Sequence, residues 1–239
     1  GGHDMNFYKP HSQFYCGVDL HSSNMYLCVV DRSQNKRLHK NLKNQQTDLF
    51  LNLIAPFKHD MVLGCESTYA WYWLADLCHE NNIEFILGHA LYMKAIHGAK
   101  VKNDRVDSEK IARLIQSGLF PQAYVYPDGK RHIRDLLRRR LYFVHQRGDL
   151  FSHIQLLNHQ VNNPALGRLS KSNYQRKNLI SKFSDQHLQK SLDANLQLLQ
   201  RYDSVIRDLE VYILRHTRHI DRHHLHILQS IHGVGDIIA

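Results

Sequence analysis

The chain has 239 residues and a mass of 28.1 kDa, enough for one large domain or two small ones. Hydrophobic residues make up 43% and charged residues 22%, with only 12 Gly and 5 Pro, which excludes collagen-like, disordered and disulfide-scaffold classes. Thirty-one Lys and Arg against 22 Asp and Glu leave +9, with a pI of about 9.4, so a polyanion is the expected partner.

Apolar runs such as Met25 to Val30 fall far short of the roughly 18 residues of a membrane span. The N-terminus lacks the apolar stretch of a signal peptide, and a cytoplasmic, membrane-free location is expected. Cys16, Cys28, Cys65 and Cys78 form no C-x-x-C pair and read as reduced core thiols. Gly1 to Met5 read as a tag scar before a natural start, and 1–12 as that scar with an N-terminal tail.

In chain order, Phe14 to Leu20 and Met25 to Asp31 are apolar runs of strand length joined by a His-Ser-Ser-Asn turn, and Arg37 to Leu42 supplies a third hairpin strand. Thr47 to Phe57 carries Leu49, Phe50, Leu53 and Ile54 at helical spacing after a Thr cap. Met61 to Glu66 follows as a short buried strand, then a helix over Tyr69 to His79, a strand over Ile83 to Gly88 and a helix over Ser108 to Gln116 ended by Gly118. Antiparallel strands followed by βαβ units predict an α/β fold with a mixed sheet over 13–128.

After Pro127 the strand signal stops. Residues 128 to 161 carry Ile133, Leu137, Leu141, Val144, Phe151 and Ile154 on one helical stripe. A second helix follows a Ser- and Asn-rich interruption, its Leu188, Leu192, Leu196, Leu199, Tyr202, Ile206, Leu209 and Ile213 recurring about every 3.6 residues. Together they predict either an antiparallel coiled-coil arm over 129–218 or a bundle packed on the sheet, and pairing of two chains through the seam makes a homo-oligomer an expectation. Near the C-terminus His216, His219 and His223 share a helical face, but no carboxylate or cysteine completes a ligand set and Arg215, Arg218 and Arg222 repel a cation, which weighs against a metal site there.

Asp19 and Glu66 each follow an apolar strand, where an acid costs burial unless it is used or paired. Asp104 and Asp107 stand three apart at a helix start and can face one direction. Converging, the four would repel one another without cations, and their hard oxygen donors suit Mg²⁺ or Mn²⁺ for phosphodiester chemistry. Taken singly, Asp104 and Asp107 also fit a capping arrangement and Asp19 a turn cap. Thirteen Lys and Arg against five Asp and Glu lie between Tyr92 and Arg147, so nearly all of the net charge sits beside these acids. Lys94, Lys100, Lys102, Arg105, Arg131, Arg134, Arg138, Arg139 and Arg140 are therefore the expected nucleic-acid contacts. Ser22, Ser23, Ser67 and Ser108 read as structural, Ser108 as facing the helix cap.

The Gly17-Val-Asp-Leu-His21 strand, Glu66-Ser-Thr, and Lys102-Asn-Asp-Arg-Val-Asp-Ser-Glu-Lys-Ile-Ala-Arg-Leu114 together resemble the RuvC-like, ribonuclease-H-like domain of DEDD transposases of insertion sequences, the family numbered one hundred and ten, which includes the Piv-type DNA invertases. The resemblance implies that Asp19, Glu66, Asp104 and Asp107 are the catalytic metal ligands, that the long helices are the coiled-coil segment, and that DNA ends and targets and a structured guide RNA are the partners. Leu228 to Ala239 resembles the start of the family's second transposase domain (219–239), expected here to be truncated before its nucleophilic serine. There Gly233 and Gly235 frame a turn whose N–H groups can meet phosphate. The expected function is a metal-dependent transposase or recombinase that cleaves and transfers DNA strands. The alternatives are a Holliday-junction endonuclease, a silent nucleic-acid binder and an actin-like kinase, the last lacking the Gly-rich loops it needs.

Overall fold

The computed structural model describes residues 6–97, 104–164, 178–217, 222–233, 235 and 237. The chain divides into two compact units, Gly1–Asp128 and Gly129–Ala239.

The first unit is built on a six-stranded mixed sheet in the order β3-β2-β1-β4-β5-β6. Its strands β1 (Phe14–Leu20), β2 (Asn24–Asp31) and β3 (Lys36–Lys43) form the expected antiparallel meander. Strands β4 (Met61–Glu66) and β5 (Glu84–Gly88) run parallel to β1, and the two-residue β6 (Gln122–Ala123) closes the edge antiparallel to β5. The central strands are apolar almost throughout because both faces of the sheet are covered. The β2–β3 turn places Gln34 at φ 66°, and Asp31 accepts a bond from Asn35 N–H at 2.9 Å and one from Arg37 Nε at 2.8 Å. Burial pushes the Asp31 carboxyl up, but these bonds outweigh it and hold it below the usual carboxylate range.

On one face, helices α1 (Thr47–Ile54) and α2 (Trp71–Glu80) pack Phe50, Ile54, Trp71, Leu74 and Cys78 against Cys16, Val18, Leu27, Leu63 and Cys65. On the other, α4 (Asp104–Gln116) packs Ile111, Ala112 and Ile115 against Tyr15, Cys28, Val30 and Val62. Helix α3 (Ala90–His97) follows β5.

Several boundaries differ from expectation. Helix α1 stops at Ile54 because Pro56 has no N–H to continue the ladder. Thr47 lies inside the helix and does not cap it; Gln46 precedes it, and its side-chain oxygen accepts the Lys43 N–H at 3.0 Å. Helix α4 begins one turn before Ser108, so Ser108 faces the sheet, fully buried, and is not at the cap. Helix α3 and strand β6 were not anticipated.

In the second unit α5 (Asp128–Gln160) and α6 (Gln186–Thr217) are antiparallel, and α7 (Arg222–Gln229) follows. Arg140 reaches Glu210, Arg147 reaches Asp203 and Asn195 lies 3.0 Å from His153, partners whose numbers rise on one helix as they fall on the other. Their apolar seam includes Ile154, Leu157, Leu192, Leu196 and Leu199, closed by Leu179 and Phe183. Asp185 caps α6, accepting the His187 and Leu188 N–H groups at 2.9 Å each, and these bonds lower its carboxyl pKa. Among the described residues no helix is long and apolar enough to cross a membrane.

Candidate active site

Strands β1 and β4 are neighbours in parallel register, Gly17 opposite Gly64 and Val18 opposite Cys65. Asp19 and Glu66 each stand one residue beyond that last pair, on backbones about 4.8 Å apart, the usual strand spacing. Each acid is also two residues past its glycine, so acid and glycine share a face. That face belongs to α4. A Cβ on Gly17 would lie 2.3 Å from both Ser108 O and Ala112 N, and one on Gly64 would lie 2.7 Å from Ile115 Cδ1. The paired glycines thus form a trough in which the α4 backbone rests on the sheet.

The direction of α4 follows from its contacts. Ser108 Oγ lies 3.3 Å from Nε2 of His39, which pairs with Cys28 across β2 and β3, and Cys28 in turn faces Gly17. Eight residues later Gln116 Nε2 donates to Arg32 O at 3.2 Å, beyond the opposite end of β2. The helix therefore runs antiparallel to β1, with its first turn at the end of the sheet that carries Asp19 and Glu66. From Ser108 back to Asp104 is about 6 Å along a helix, close to the roughly 6.6 Å from Gly17 to Asp19 along a strand.

The acids have basic neighbours. His21 Nε2 lies 3.2 Å from Asp19 Oδ2, and Lys110 Nζ donates to Asp107 Oδ1 at 3.1 Å. Asp19 is mostly buried, its side chain 18% exposed, and Asp107 is half-buried at 32%. The backbone of Asp104 is the first residue of α4, and its side chain lies outside the described residues. Past Glu66 the chain is held by Ser67 N–H donating to Gly88 O at 2.9 Å, while Ser67 Oγ accepts the Ala90 N–H that opens α3.

A scan against protein-family profiles matches residues 16–163 to the IS110-type DEDD family, described as a transposase. The chain belongs to this transposase family. A comparison with curated proteins gives no match. The matched stretch contains all four acids, and the mixed sheet with long helices agrees with the ribonuclease-H-like α/β fold of a DEDD transposase. Membership makes DNA the expected ligand of this enzyme.

The basic residues of the transposase divide into different roles. On α5, Arg138 and Arg139 are exposed, and the Arg139 guanidinium lies 5.6 Å from the Tyr142 ring centre. Arg134 Nη1 is 3.7 Å from Asp135. Two expected contacts are corrected: Arg131 is buried, at 4% exposure, and Arg140 is half-buried in its ion pair with Glu210, so neither is presented as a free surface cation. Lys94 is exposed on α3. Lys100 and Lys102, and the side chain of Arg105, lie outside the described residues. Gly233 has φ +90°, a left-handed turn conformation, and among the described residues no atom outside the adjacent chain neighbours lies within 4 Å of where a Cβ would stand on it or on Gly235.

The sequence reading missed the Gly64 partner of Gly17. The signal was present: Gly-x-Asp in β1 and Gly-x-Glu in β4 are the same pattern on two strands. It also missed His21 and Lys110 as partners of the acids, although spacings of two on a strand end and three on a helix permit both contacts.

Proposed function

We propose that Asp19, Glu66, Asp104 and Asp107 together hold Mg²⁺ or Mn²⁺, and that this transposase breaks and joins DNA phosphodiester bonds there during transposition. The observation that carries the reading is the parallel register of β1 and β4, which sets two acids side by side on the face crossed by α4, whose first turn bears the Asp-x-x-Asp pair. The donor set fits the ions, being all carboxylate and therefore hard. Lys110 offsets part of the negative charge that these side chains would otherwise concentrate, and His21 lies against Asp19. The four carboxylates would hold the ion, which would supply Lewis-acid polarisation of the phosphate and activation of a hydroxyl. The protein's part is to supply the carboxylates from two central strands and a helix seated directly on them, backbones that are already in place before reaction.

Exposed Arg138 and Arg139 on the second unit, and separately exposed Lys94 on the first, contact the phosphate backbone in this reading, and a structured guide RNA is a second ligand of the same chemistry. Two copies of the chain act together on the DNA ends. The test uses the purified protein with end-labelled element DNA, a four-way junction and Mn²⁺. Asp19→Asn and Glu66→Gln should each lower cleavage at least about 100-fold and weaken Mn²⁺ binding, measured by calorimetry, while leaving the thermal midpoint within a few degrees. Full activity in both variants would sink the assignment, and cleavage confined to the junction would favour a resolvase.

A further inference from the structure

A second cluster of metal-ligating side chains lies outside the four acids. Cys28 on β2 and His39 on β3 are directly opposed across the antiparallel pair, and Glu109 descends onto them from α4. Their ligating atoms all lie within 4.8 Å of one another, with Cys28 buried and the other two half-buried. Three elements distant in sequence thus bring sulfur, imidazole nitrogen and carboxylate oxygen to one point. In a tetrahedral zinc site with bonds of about 2.0–2.3 Å, neighbouring ligand atoms sit roughly 3.3–3.8 Å apart. Side-chain movements of at most about 1–1.5 Å close the difference.

We propose that Cys28, His39 and Glu109 form a binding site for a thiophilic divalent ion, Zn²⁺ in the first instance, separate from the oxygen-rich cluster. The thiolate and imidazole donors select Zn²⁺ over Mg²⁺, which prefers oxygen alone. The surroundings supply the usual outer support. Ser108 Oγ, 3.3 Å from His39 Nε2, fixes the ring, and Arg113 donates to Glu109 Oε1 through Nε at 3.0 Å and Nη2 at 2.8 Å. Lys36 contacts the other carboxylate oxygen, Oε2, and competes with the metal for it. Its side chain is 40% exposed on the edge strand, so the ammonium can move into water when the ion binds. Binding releases the Cys28 thiol proton to solvent and forms S–metal, N–metal and O–metal bonds, leaving a fourth position for water. The effect is to clamp α4 to β2 and β3, and α4 is the helix that bears Asp104 and Asp107.

Cobalt reports on the site, because a thiolate bound to Co²⁺ gives a near-ultraviolet charge-transfer band that oxygen ligands do not. The purified full chain, reduced and held in saturating Mg²⁺, is titrated with Co²⁺ and then with Zn²⁺. One equivalent of Co²⁺ should raise the band and Zn²⁺ should abolish it. Cys28→Ser should remove the band, and His39→Asn should weaken Co²⁺ binding at least about tenfold. Lys36→Met should tighten it several-fold, and Asp19→Asn should leave it unchanged. Cys16, Cys65 and Cys78 belong to the core on the opposite face of the sheet, so a band that survived Cys28→Ser would place the metal elsewhere and overturn the proposal. Absence of the band in the unmodified chain would overturn it equally. Should Cys28→Ser fail to fold by circular dichroism, His39→Asn and Lys36→Met decide, since unchanged affinity in both contradicts the site.

Discussion

The two faces of the central sheet solve different problems with one set of strands. The face under α1 and α2 is filled by large side chains, Phe50, Trp71, Leu74 and Met25 among them, and three of the four cysteines are dissolved in it. The face under α4 is emptied at its centre by Gly17 and Gly64, so that a helix backbone, and not merely its side chains, reaches the strands. Bulk holds the first pair of layers together. Closeness defines the second, and the candidate site lies at the end of that close approach, where two acids follow two glycines. The proposed chemistry therefore falls on the side where a helix backbone comes closest to the strands.

The comparison breaks most visibly at Gly17. Gly17→Val puts its Cβ 2.3 Å from two α4 backbone atoms that cannot swing aside. It should destabilise the chain by about 3 kcal/mol or more and abolish Mn²⁺-dependent DNA cleavage in the molecules that still fold. Leu74→Ala, on the other face, removes a fully buried side chain and should cost a similar 2–5 kcal/mol, yet leave cleavage per folded molecule unchanged. Urea denaturation and single-turnover cleavage measured together check both. Equal activity losses in the two variants would show that the faces are not functionally distinct.

Alkaline titration sharpens the same contrast. Burial pushes the Cys78 thiol up to about 12, and Cys16 and Cys65, fully enclosed, well above the usual range. On the α4 face, burial and then nearby Glu109 push Cys28 up to about 11. Unfolded thiols ionise near 8.5. Between that pH and about 11 the folded state binds more protons than the unfolded state, so stability present below pH 8.5 is lost as pH rises. The thermal midpoint, recorded under reductant without metal, should fall steadily from pH 8.5 to 11, and Cys28→Ala should retain most of the slope. A flat profile would mean that the thiols are not enclosed as described.

The smallest effect belongs to the helix pair. Arg147 Nε lies 2.5 Å from Asp203 Oδ1, but the arginine side chain is 40% exposed. Arg147→Ala should therefore lower stability by less than about 1 kcal/mol, a shift of a few degrees in a melting curve. A drop several times larger would mark this pair as an anchor of the seam.

Much of this architecture was legible in the sequence because the responsible signals are local. The apolar runs of β1, β2 and β4 exceed what a half-exposed strand needs, and the stripe from Leu188 to Ile213 falls on one face of α6, with Leu192, Leu196, Leu199, Ile206 and Ile213 buried. Boundaries set by long-range contacts were not legible. Nothing near Gln122 announces a strand, since β6 is only two residues paired to Leu87 and Gly88. Helix α3 depends on Ser67, 23 residues upstream, to accept its first N–H. Charge alone marked Arg131 and Arg140 for the surface, whereas burial and a glutamate 70 residues away decide their positions. The opposition of Cys28 and His39 was likewise invisible, because it follows from a register that shifts at Val29 and Val30.

The sheet's two borders limit what the protein can join. At β3 the exposed residues include Lys36 and Arg37, paired with Glu109 and Asp31, and Lys40 and Lys43, whose like charges disfavour an identical strand laid alongside. At the far border the segment Asn6 to Tyr8 is already in place: Tyr8 N–H donates to Phe120 O at 3.0 Å and Gln122 N–H to Asn6 O at 2.8 Å, while Phe7 bridges Pro121. Proline offers no N–H to a newcomer. One margin carries charge and the other is occupied by residues 6–8 of the same chain, so the fold resists strand-by-strand aggregation at both borders.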